Sequence, residues 1–106
     1  MNRNTLDGRY VSLNQDWQRK HDPTRISAPV AQLLADQRLA LGEQALDTLL
    51  TESMLAGVKC DLGELDLALA FSDHALAGLA GARGPADTQT LLARLVRSKI
   101  LRERAR

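Results

Sequence analysis

With 106 residues and 44% apolar content, the chain is one small domain at most. Its apolar share is mostly Leu and Ala with few β-branched residues, which predicts an all-α fold and, from the single cysteine Cys60, no internal disulfide and a reducing compartment. The net charge of +1 hides a segregation: residues 1–42 carry six basic and four acidic side chains, residues 43–93 two and eight, and residues 94–106 six and one.

In chain order, residues 1–26 read as an irregular N-terminal arm and residues 27–106 as the helical domain. Asp7-Gly8 is a turn signal, and RYVSL is the one strand-like run. SLNQDWQRKHD suits a short helix with Leu13 and Trp17 on one face, broken by Pro23. The opening MNRNTLDGRYVSLNQDW lacks an apolar secretory core, and no run reaches the length of a membrane span, so the expected location is the cytoplasm with no membrane partner. Ser27 is the expected N-cap of the first long helix, with Pro29 in its opening turn and Val30, Leu33, Leu34 and Leu41 near one stripe. The second runs through EQALDTLLTESMLAGVKC, with Leu46, Leu49, Leu50, Met54 and Val58 opposite Glu43, Asp47, Glu52 and Lys59. The third, ELDLALAFSDHALAGLA, is apolar nearly all round, which means burial on several sides or a face lent to another chain. GARGPAD is a loop, and the fourth helix follows with Pro85 in its opening turn and Leu92, Leu95, Val96 and Ile100 near one stripe. The expected architecture is a bundle of about four helices around a central antiparallel αα-hairpin.

Two families share residues with this region. In KCDLGELDLALAFSDHAL, the order Gly63, Glu64, Leu65, Asp66, Ala68, Ala75-Leu76, with Leu55 and Ala56 upstream, resembles one tetratricopeptide repeat over residues 49–82. The resemblance implies two closely packed antiparallel helices joined by a tight turn at Gly63. Glu52, Lys59 and Ser72 stand at its aromatic slots, and a shift by that repeat's length finds no second copy. The string His74-Ala75-Leu76-Ala77-Gly78-Leu79-Ala80-Gly81 resembles the surroundings of the phosphorylated histidine in a histidine phosphotransfer domain. That resemblance implies His74 as phosphoryl acceptor, with Ala77 where the family carries a lysine. The competing reading makes His74 a polar residue on a packing helix.

Other chemistries find little. One cysteine and two histidines, His21 and His74, lack metal-ligand spacing, and no cofactor is expected. Cys60 has no activating neighbour in the sequence. The basic run Arg94, Arg97, Lys99, Arg102, Arg104 and Arg106 lacks interleaved aromatics and follows an acidic middle, which argues against nucleic acid. The apolar helix surface exceeds what a short domain readily hides, which points to a non-enzymatic module that binds and controls a partner protein. Secretion chaperones and antiactivators that sequester a transcription factor have this size and style, and such proteins are often homodimers. The expected contact residues are Leu50, Met54, Leu55 and Val58, a stripe that equally suits a core. A permanent structural subunit of a larger assembly is the remaining alternative.

Overall fold

In the computed structural model, which describes residues 2–19 and 22–106, the chain is helical without strands among the described residues. Five helices follow one another: α1 (Arg3–Gln18), α2 (Pro23–Leu41), α3 (Leu46–Asp61), α4 (Leu65–Arg83) and α5 (Thr88–Arg104). Residues expected to form an irregular arm are therefore mostly helical, and RYVSL lies inside α1. The reason is a stripe that outweighs the local turn signal. Leu6, Tyr10, Leu13 and Trp17 recur at helical spacing. Leu6 is fully buried, and the other three pack on the core cluster of Ile26, Val30, Leu34, Met54, Leu55 and Val58. Asn2 starts the helix by accepting the Thr5 backbone N–H at 2.8 Å. Arg3 on Asp47 and Arg9 on Asp36 then tie α1 to α3 and α2.

The start of α2 also moves. Asp22, not Ser27, is its N-cap, accepting from the Thr24 backbone and hydroxyl, with Pro23 at the first position. Pro29 then lies inside the helix on an exposed side, where water can satisfy the carbonyl it leaves without a helical donor. Asp87, rather than a turn begun at Pro85, caps α5.

The helices form two layers. α3 is central and packs against each of the other four helices, while α1 also packs on α2 and α4 on α5. The pair α3 and α4 is the expected close antiparallel hairpin, with Gly78 near the end of α4 lying against Leu49 near the start of α3.

An internal repeat underlies this arrangement. α2 and α4 begin at residues 23 and 65, α3 and α5 at 46 and 88, the same 42-residue offset each time. The connections match too. Gly42 and Gly84 have φ of 94° and 91°, a conformation that side chains with a Cβ rarely adopt, and each donates back to the fourth residue before it. Burial repeats with the same offset: Ile26, Val30, Leu33 and Gln37 on α2 correspond to Ala68, Ser72, Ala75 and Leu79 on α4, and Thr48, Thr51 and Val58 on α3 to Thr90, Ala93 and Ile100 on α5. All fourteen are buried. The smaller α4 residues allow its close approach to α3.

Candidate functional site

His74 projects from α4 toward α3, where its Nδ1 lies 2.5 Å from Glu52 Oε1. The other Glu52 oxygen accepts from Arg38 Nη2 of α2 at 2.9 Å. The Glu52 side chain is 4% exposed, whereas Arg38 and His74 are 35% and 43% exposed. A carboxylate is tolerated inside a protein when it is paired and hydrogen-bonded. Here the Arg38–Glu52–His74 cluster spans the seam between α2 and α4 over α3. His74 is thus a bridging group on a packing helix. Its neighbour Asp73 is held by Arg97 of α5 at 2.7 Å.

The second feature is an apolar groove. α1 and α5 flank α3 without meeting, leaving a cleft of ≈ 440 Å³. Tyr10 and Trp17 form one wall, Leu92, Leu95 and Val96 the other, and Leu50, Ser53 and Met54 line its floor. Burial raises the Tyr10 phenol above its ordinary value, helped by the nearby Asp47 carboxylate. Trp17 reaches its place because Gly57 leaves room for the indole ring, and its Nε1 donates to Asp61 at 3.1 Å.

Of the four contact residues expected from sequence, Leu50 and Met54 line this groove. Met54 is nevertheless buried, and it joins Leu55 and Val58 in the core cluster beneath α1 and α2. The fifth helix departs further from expectation. Thr90, Ala93 and Ile100 face the core, while Leu91, Leu92 and Leu95 are 46%, 51% and 65% exposed. α5 carries two apolar faces, and sequence periodicity alone favours the leucine-rich one. The small and polar residues of the true core face gave little signal.

The charge segregation is used inside the molecule. Lys99 binds Asp61, Arg97 binds Asp73 and Arg104 binds Asp66, so the basic helix lies against the acidic middle of the chain. Arg94 and Arg102 have no such partner among the described residues. Burial pushes the Cys60 thiol above its ordinary value against the opposing pull of Lys99, which leaves it a weak nucleophile. His21 lies outside the described residues, and among those described no three His, Cys, Asp or Glu side chains converge as metal ligands would. No helix among them is long and apolar enough to cross a membrane. No protein-family model, curated protein or solved structure matches the chain.

Proposed function

We propose that the chain is a non-enzymatic cytoplasmic interaction module that binds and controls a partner protein through the exposed apolar side of α5 and the groove beside it. One observation carries this reading: Leu91, Leu92 and Leu95 are solvent-exposed, and Leu92 and Leu95 run on into a groove floored by Leu50 and Met54. Single exposed leucines, such as Leu39 on α2, are ordinary, but clustered ones that continue into a cleft mark an interaction surface. The contact set differs from the sequence expectation, keeping Leu50 and Met54 at the floor and adding the leucines of α5. The His74 cluster lends phosphotransfer no comparable support: Glu52 occupies Nδ1 and leaves Nε2 as the acceptor, but that carboxylate adds negative charge beside it, and Ala77 stands where the family's lysine would offset a phosphoryl group.

The test is a tagged capture from native lysate with wild type, Leu92→Asp/Leu95→Asp and His74→Gln as baits. The double variant changes exposed positions and is expected to keep the wild-type helical circular dichroism. It should lose the captured regulator or secreted protein, while His74→Gln keeps it. Equal capture by all three would end the reading, and selective loss of receiver or sensor-kinase proteins with His74→Gln would restore phosphotransfer.

A further inference from the structure

The 42-residue repeat indicates what the outer side of α5 accommodates, an inference that rests on the interaction-module reading. α3 receives α4 along one line of residues. Leu49 meets Gly78 and Leu79, Glu52 meets His74, and Ala56 and Cys60 cluster with Ala68. One repeat later, the same line on α5 is Leu91, Arg94, Ser98 and Arg102, with Leu95 beside it in the place of Ser53. On α3 every one of those positions is buried, and on α5 every one is exposed. In stacked helical arrays the outermost face is ordinarily polar. This one carries two leucines and a small serine, the composition that admits a closely packed helix.

The charges then select the helix. Glu52 is the residue of α3 that meets a basic partner, His74, on the arriving helix. Its equivalent is Arg94, so the sign at that point is inverted. Arg102 extends the cationic edge two turns further along, and neither arginine has an ion-pair partner among the described residues. We infer that the outer face of α5 is a docking slot for one further helix, supplied by a partner protein, packed as α4 packs on α3, and bearing acidic side chains opposite Arg94 and Arg102.

The test uses the full chain and two fluorescein-labelled synthetic amphipathic peptides of about 18 residues, five helical turns. Both carry one Ala/Leu stripe, flanked by Glu in one and by Lys in the other. Anisotropy titrations should show the Glu peptide binding about tenfold or more tightly than the Lys peptide. Arg94→Glu/Arg102→Glu should reverse that order. Ser98→Trp, which fills the small position equivalent to Ala56, should abolish binding of both peptides without loss of helix by circular dichroism. Equal binding of the two peptides, or no effect of Ser98→Trp, would overturn the slot. So would displacement of the Glu peptide by anionic phosphatidylglycerol vesicles or duplex DNA, or an arginine-dependent dimer in sedimentation, which would make a second copy the occupant. If neither peptide binds while Leu92→Asp/Leu95→Asp still loses its captured protein, the slot alone fails. If that variant also captures normally, the interaction-module reading fails with it.

Discussion

Gly57→Val is expected to destabilise the chain by about 2–3 kcal/mol and to move the emission of its single tryptophan to the red. A Cβ at residue 57 would sit 2.7 Å from Trp17 Cη2 and closer still to Cζ2. The indole is a rigid ring already fixed through its Nε1 bond to Asp61, so it cannot yield by a few tenths of an ångström. The ring must leave or α1 must tilt, and either exposes Leu13 and the core under it. A side chain at a mid-helix glycine normally improves helix propensity by up to about 1 kcal/mol, which the clash outweighs. Urea denaturation gives the stability, and the emission maximum reports the ring. A stabilised variant with an unshifted spectrum would mean that Trp17 does not rest on Gly57.

Arg38→Met is expected to cost about 3 kcal/mol, and Glu52→Met only about 1 kcal/mol, although the two remove opposite ends of one ion pair. The asymmetry follows from exposure. Without Arg38, the Glu52 carboxylate stays buried with His74 as its remaining partner. Without Glu52, Arg38 and His74 are both open enough to turn to water. The double variant should therefore recover most of the loss seen in Arg38→Met, leaving an apolar seam between α2 and α4. Equal costs for the two single variants in urea denaturation would show that the pair is solvated rather than set into the seam.

Much of the helical architecture was legible. Runs of Leu and Ala at helical spacing marked α3, α4 and the body of α2 and α5, and the small residues of α4 announced a close hairpin with α3. The first helix was obscured because Asp7-Gly8 favours a turn locally. Its packing stripe of Leu6, Tyr10, Leu13 and Trp17 is interspersed with polar residues, and its stability comes from contacts with α2 and α3. The repeat was hidden for a different reason. Equivalent buried positions carry unlike residues, such as Val30 and Ser72 or Gln37 and Leu79, because each fills the space its own neighbours leave. Between the two helix pairs, the identities that do recur at this offset are Gly42 with Gly84, Thr48-Leu49-Leu50 with Thr90-Leu91-Leu92, Leu34-Ala35 with Leu76-Ala77, Ala28 with Ala70 and Ala40 with Ala82, and most of these are Leu and Ala, which are common throughout the chain. The Glu52–His74 contact joins residues on different helices, and no local pattern encodes such a meeting. On α5 the leucines lie at the surface while Thr90, Ala93 and Ile100 face inward, a division that their shared helical spacing does not encode.

The most direct test of the interaction surface is photo-crosslinking in the native cell, with a benzophenone amino acid placed at Leu95 or, as a control, at Leu39. Both side chains are exposed, but only Leu95 belongs to the leucine cluster and groove wall. A discrete adduct with one partner protein is expected from position 95 and none from position 39. Adducts of equal yield from both positions, or none from position 95 while the protein is shown to be bound in a complex, would contradict the proposed surface.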